Sequence, residues 1–151
     1  MPPPLPHPGV HILLLEDDPA DVFLFREALK ELPIPCHLSV LMDIREVVAF
    51  VAQVGSAAAT PPQLLLLDYF MHGTEAVDTL ARVRRLPGYG QIPAILFSTP
   101  PEREGQRQST ILGTTAFVQK PSALEAYFAA VTAIIYRWGC QQPAEAATAR
   151  E

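Results

Sequence analysis

The chain has 151 residues, of which 49% are hydrophobic and 18% are charged, and its formal net charge is −5. This length suits one domain with one core, and the acidic balance, with lysine only at positions 30 and 120, argues against nucleic-acid binding. No apolar run reaches membrane-spanning length and no signal-peptide pattern opens the chain, so we expect a cytoplasmic protein with no membrane partner. Two cysteines are too few for a disulfide scaffold.

The chain is predicted to contain a leader, one domain and a tail. Residues 1–9 are rich in proline, which favours an extended and disordered leader. Residues 10–138 carry the patterned sequence and form the predicted domain. Residues 139–151 form a short polar tail, which we expect to leave no room for a separate output domain.

Five short apolar segments predict buried β-strands at 10–15, 36–40, 63–68, 93–97 and 115–119. Helix signals follow each of them. The first helix has Asp18 as N-cap and Pro19 at its first position and should end before Pro33, and the second opens with Asp43 and Glu46. The third and fourth are predicted at about 75–85 and 101–112, and a serine-glutamate pair, Ser122 and Glu125, predicts the start of the fifth.

Strands that alternate with helices predict a parallel sheet covered on both faces. Five such units without a glycine-rich nucleotide loop indicate the flavodoxin-like (βα)5 winding, a doubly wound three-layer α/β/α fold with strand order 2-1-3-4-5. In this fold the carboxyl ends of all strands share one edge of the sheet. Ligands bind at that edge, between the first and third strands.

Chemically distinctive side chains end four of these strands. They are the acidic triplet 16–18, Asp68, Ser98 and Lys120. Each alone has an ordinary explanation, such as a helix cap, a turn residue, a loop hydrogen bond or a surface charge. Together they are predicted to meet at one edge, where carboxylates of like charge require a cation between them. This cluster therefore predicts a site for a hard divalent metal.

On these residues the chain resembles the receiver domain of two-component response regulators, over about residues 10–137. The matching stretches run from Ile12 to Asp21, from Leu64 to Asp68, from Ile95 to Ser98 and from Phe117 to Pro121. Within that family, the acidic start and the short length look most like the standalone regulators that partner phytochrome-type histidine kinases.

The resemblance implies a role for each residue at the edge. Asp68 would accept a phosphoryl group from a histidine kinase, so the chain would be a phosphoacceptor rather than an enzyme. Mg²⁺ would lie between Asp17, Asp68 and the backbone carbonyl of Phe70, with Glu16 reached directly or through water. Lys120 and Ser98 would stabilise the phosphate.

The resemblance also implies a conformational response and some departures from the family pattern. Movement of Ser98 would leave room for Phe117 to turn inward, and this change would bias a surface around the fourth helix and fifth strand. The fourth helix is weakly patterned, which makes it a candidate moving part. His72 stands where the family usually has proline, and Phe117 replaces a more frequent tyrosine.

The fifth helix is apolar nearly all round. Large side chains repeat from Leu124 to Trp138 at helical spacing, and alanines occupy much of the opposite side. A helix of this kind should be covered on both sides, so we predict a homodimer through it, with Ile134 and Trp138 as candidate contacts.

Other functions fit the sequence less well. A phosphatase with an aspartate nucleophile needs a second aspartate where this chain has Phe70, and a flavin or dinucleotide site needs a phosphate loop that is absent. The main alternative is an interaction module that works without phosphorylation. The downstream protein is not identified by the sequence.

Overall fold

The structure is a computed structural model, and it describes residues 9–56, 61–68 and 75–140. The strands are β1 (Val10–Leu15), β2 (Cys36–Leu41), β3 (Leu64–Leu67), β4 (Ala94–Ser98) and β5 (Ala116–Gln119). The helices are α1 (Pro19–Lys30), α2 (Ile44–Ser56), α3 (Glu75–Arg84), α4 (Glu102–Leu112) and α5 (Leu124–Ile134). A π-helical segment, Ile135–Gly139, continues α5.

All five strands pair in parallel in the order β2-β1-β3-β4-β5. The predicted flavodoxin-like fold is therefore confirmed. The strand order reverses beside β1, and the carboxyl ends of β1 and β3 flank that point, where doubly wound sheets bind ligands.

The core consists of two layers, one on each face of the sheet. Alternate residues of β1 point to opposite faces, so Leu13 packs with α2, α3 and α4, whereas Ile12 packs with α1 and α5. Fully burying one leucine side chain stabilises a fold by roughly 1.5–3 kcal/mol, and every residue of β3 is a buried leucine. Burial on both faces explains why the central strands β3 and β4 are nearly continuous apolar runs.

Two predicted helix caps are present. The Asp18 side chain accepts a hydrogen bond from the Ala20 N–H at 2.9 Å, at the start of α1. Asp43 accepts one from the Glu46 N–H at 2.9 Å, at the start of α2. These bonds satisfy donors that the first turn of a helix leaves unpaired.

The predictions for α5 are partly wrong. The helix begins at Leu124 after an Ala123 N-cap without a side-chain bond, so Ser122 does not cap it. Leu124 is exposed, whereas Tyr127, Val131 and Ile134 are buried as the stripe predicted. Ile134 is only 1% exposed, so it cannot belong to a surface dimer contact.

The outer surface of α5 is made of smaller side chains. Ala126, Ala129 and Ala133 are exposed along it, and Tyr136 is 47% exposed. Trp138 is half-buried against the core. None of the helices in the described ranges is long and apolar enough to span a membrane.

Candidate functional site

The ends of four strands bring the predicted side chains to one edge of the sheet. Glu16 follows β1, Asp68 follows β3, Ser98 ends β4 and Lys120 follows β5. Backbone hydrogen bonds continue the sheet into these positions: the Asp68 N–H donates to Leu15 O at 3.2 Å, and the Lys120 N–H donates to Ser98 O at 2.7 Å. The site is therefore built on the rigid part of the fold.

Lys120 lies at the centre of the site, and its side chain is only 6% exposed. Its Nζ donates to Glu16 Oε2 at 3.0 Å, to Asp21 Oδ2 at 3.2 Å and to Asp68 Oδ2 at 3.0 Å. An ammonium group has three protons to donate, so the three carboxylates use its full capacity.

Ser98 holds the other oxygen of Asp68. Its hydroxyl, which is fully buried, donates to Asp68 Oδ1 at 2.8 Å. Asp68 therefore has a different donor on each carboxylate oxygen, Ser98 on one and Lys120 on the other. These bonds fix the orientation of the carboxylate.

Burial and charge oppose each other in this cluster. Burial raises the pKa of Glu16 to about 7, although Lys120 acts in the opposite direction. Burial alone would lower the pKa of Lys120, but the carboxylates of Asp68 and Glu16 outweigh it and raise that pKa above its usual value. The lysine therefore stays charged.

The carboxylates also fit a divalent cation. One oxygen each from Glu16, Asp21 and Asp68 lies within 4.8 Å of the others. When ionised, the three acids and one lysine sum to −2, which one divalent cation neutralises. Oxygen donors of this kind are those that hard cations prefer.

Four of the predicted side chains lie together in the site: Glu16, Asp68, Ser98 and Lys120. Asp17 is exposed and is not among the three acids that converge. Asp21, for which no role was predicted, lies in the first turn of α1, one turn after the Asp18 cap. Phe70 and His72 lie outside the described residues.

Phe117 is buried in this structure, at 7% exposure. Its ring lies against Gly105 of α4, where an added Cβ would be 2.1 Å from Cζ. No side chain larger than hydrogen fits there without movement. A regular α4 spans Glu102–Leu112, as predicted within one residue.

Two aromatic rings lie beneath the site and were not predicted. Lys120 Nζ is 5.8 Å from the centroid of the Phe97 ring, and the Phe97 and Tyr127 centroids are 5.4 Å apart. Burial is the main cause that raises the pKa of Tyr127, so its hydroxyl stays neutral. Strand and helix periodicity predicted only that these residues are buried.

A five-stranded parallel sheet with a lysine and clustered acids at the β1/β3 edge defines a receiver domain. None of the available protein-family models matches the chain. The chain is 30% identical to response regulator Rcp1 of Synechocystis sp. over 133 residues, which cover 87% of this chain and 90% of Rcp1. It therefore belongs to the response regulators of two-component signalling, whose receiver domains are phosphoacceptors.

Two solved structures of response regulators support this family assignment. The structure of the phosphorylated cyanobacterial phytochrome response regulator RcpA superposes with a TM-score of 0.71 at 29% identity, covering 86% of this chain and 94% of RcpA. The Mn²⁺-bound form of Rcp1 superposes with a TM-score of 0.68 at 29% identity, covering 89% of this chain and 97% of that structure.

Proposed function

We propose that this response regulator accepts a phosphoryl group on Asp68 from a phosphohistidine of a kinase. The observation that carries the proposal is the pairing of Asp68 with Lys120 on one oxygen and Ser98 on the other, at the ligand-binding edge of the sheet. Carboxylate nucleophiles of this kind form aspartyl phosphates.

The proposed step exchanges one bond for another. A carboxylate oxygen of Asp68 forms a bond to phosphorus as the bond between phosphorus and the imidazole nitrogen of the kinase breaks. Lys120 and Ser98 then donate to oxygens of the transferred group instead of to the free carboxylate. Because phosphoryl transfer depends mostly on positioning and charge, these two donors supply most of what the protein must provide.

We propose Mg²⁺ as the cation of this site, held by Glu16, Asp21 and Asp68. The close approach of their oxygens supports this assignment, and Rcp1 has been solved with Mn²⁺, another hard cation. Asp17 and the Phe70 carbonyl are further proposed ligands. The cation would neutralise the oxygens of the phosphoryl group as it is transferred.

A phytochrome-type histidine kinase is the proposed donor, because RcpA is a phytochrome response regulator. We propose that transfer takes place in the cytoplasm, where ATP charges such kinases. The regulator would then act on a downstream protein through its own surface.

We also propose a homodimer through α5. The outer surface of the helix, formed by Ala126, Ala129, Ala133 and Tyr136, is bordered by only two exposed charged residues, Glu125 and Arg137, and this low charge supports a covered position. Trp138, which is half-buried against the core, is a further proposed contact, whereas Ile134 lies in the core and is not part of this surface.

The test of the proposed function is the intact mass of the protein after incubation with acetyl phosphate and Mg²⁺. Wild type should gain one labile phosphoryl group. Asp68→Asn should gain none, whereas Asp78→Asn, which changes an exposed aspartate of α3, should behave as wild type. If Asp68→Asn is modified as readily as wild type, the proposal is wrong; an unmodified wild type favours the alternative of an interaction module that works without phosphorylation.

A further inference from the structure

Two histidines lie side by side at the end of the sheet opposite the acidic site. His11 on β1 and His37 on β2 are register partners in parallel strands, so their side chains point to the same face. Their ring centroids are 4.8 Å apart and the ring planes are tilted by 58°. Rings at this separation are close enough for each to supply one nitrogen to a shared ion.

Ser39 orients the first of these rings. Its Oγ shares a hydrogen bond of 2.8 Å with His11 Nε2, which leaves Nδ1 of that ring without a partner in the described part of the chain. Histidines that bind metals usually donate their second ring N–H to a neighbouring acceptor, which fixes the tautomer and the ring. Ser39 is placed to accept in this way.

The histidines border an open pocket of about 270 Å³, whose other lining residues are Gly9, Val10, Pro35, Cys36 and Gln63. Gln63 lies at its wall, and its side-chain oxygen Oε1 accepts a hydrogen bond from the His11 backbone N–H at 2.6 Å. Cys36 is less suitable as a ligand, because strand alternation places its side chain on the other face and its thiol donates to Ile34 O at 3.7 Å.

We propose that His11 and His37 form a second metal site, separate from the acidic cluster, for a late first-row transition ion such as Zn²⁺ or Cu²⁺. Imidazole nitrogens suit these ions, whereas Mg²⁺ prefers oxygen donors. Ser39 positions His11, and water completes the coordination shell. Burial, followed by the charge of His37, lowers the pKa of His11, which favours the neutral form that binds metals.

The test is a calorimetric titration of the full chain with Zn²⁺ at pH 7.5, in excess Mg²⁺ so that the acidic site is filled. Wild type should bind one equivalent. His37→Ala changes an exposed side chain and should weaken binding by more than about tenfold, and Ser39→Ala should weaken it by about tenfold. The control variants His7→Ala and His72→Ala should bind as wild type.

Three results would overturn the proposal. They are wild-type affinity in His37→Ala, no binding by wild type, or a loss of binding in the control variants equal to that in His37→Ala. Circular dichroism of each variant confirms that it is folded before the titration. Cu²⁺ should bind more tightly than Zn²⁺, as the general order of divalent affinities requires.

Discussion

Lys120 is the residue on which the electrostatics of the site depend most. Replacing it with methionine leaves buried carboxylates without a counter-charge, and breaking a buried ion pair in this way costs about 3–5 kcal/mol. We therefore predict that Lys120→Met lowers the free energy of unfolding by about that amount at pH 8 in metal-free buffer, as measured by urea denaturation.

The loss should be smaller at pH 5. Burial raises the pKa of Glu16 and the variant lacks the lysine that opposes this effect, so Glu16 binds a proton as the pH falls and the repulsion within the site decreases. Lys30→Met is the matched control, because Lys30 is the other lysine and its side chain is 72% exposed in a surface pair with Glu27. Such a pair contributes little, so no comparable loss is expected. Equal losses in both variants would contradict the prediction.

The raised pKa of Glu16 predicts how metal binding depends on pH. Its pKa is raised to about 7, so below that pH an incoming cation must displace a proton. The apparent Mg²⁺ affinity should therefore increase by up to about tenfold per pH unit below 7 and level off above it. Calorimetry from pH 5.5 to 8.5 measures this dependence.

Glu16→Gln removes the titrating group and should make the weaker affinity that is left nearly independent of pH above 6. A dependence that is unchanged in this variant would assign the titration to another group.

At the residue scale, most of the site was predicted from the sequence, but the contribution of Asp21 was not. Asp68, Ser98 and Lys120 each lie at or just after the carboxyl end of a strand, so the parallel sheet alone brings them together. Asp21 is different because it lies within α1, and its approach to Lys120 depends on the angle at which that helix packs. The triplet 16–18 does not reveal which side chain turns inward; Glu16 is buried and Asp17 is exposed.

Among the elements, α4 is linked to β5 by the contact between Gly105 and the Phe117 ring. Alanine in place of an interior helical glycine usually stabilises by about 0.5–1 kcal/mol. Here its Cβ meets the ring, so we predict that Gly105→Ala destabilises by about 1–3 kcal/mol in urea denaturation.

The same substitution made in a Phe117→Ala variant separates this steric cause from a general effect on α4. In Phe117→Ala the ring is absent, and adding Gly105→Ala should then be neutral or stabilising. The same destabilisation on both backgrounds would show that the ring is not responsible.

The elements themselves were predictable to different degrees. Side-chain caps fixed the starts of α1 and α2, because Asp18 and Asp43 bond to backbone donors a few residues away. The start of α5 has no such bond, and the helix is held by the burial of Tyr127, Val131 and Ile134. The spacing of the large side chains predicted this inner face, but it did not show that Leu124 at the start of the helix is exposed.

For the whole molecule, the proposed dimer is tested on the outer surface of α5. Ala133→Glu adds a charge to an exposed position and should leave the fold intact while it weakens association by at least about tenfold. Light scattering over a concentration series measures this change. The matched control is Ala49→Glu on α2, also an exposed alanine, which should leave the mass unchanged. A monomeric wild type at high micromolar concentration would contradict the dimer.

The overall architecture was predicted well because it follows from the short-range pattern of apolar strands alternating with amphipathic helices. Features that depend on how elements pack were not predicted, including the ring contact at Gly105 and the π-helical segment after α5. The two functional ends of the sheet were recognisable to different extents. The acidic site was predicted because its acids follow strands in the sequence. His11 and His37 lie side by side because of the register of β1 and β2, which the sequence pattern does not give.

The central claim is that Asp68 is the group that receives the phosphoryl, and chemical trapping tests it most directly. An aspartyl phosphate is reduced by borohydride to homoserine, so protein treated with acetyl phosphate and Mg²⁺, then reduced and digested, reports the modified position by peptide mass. Homoserine at position 68 is the predicted result. Modification at Glu16 or Asp21 instead, or a phosphate that resists reduction, would contradict the assignment.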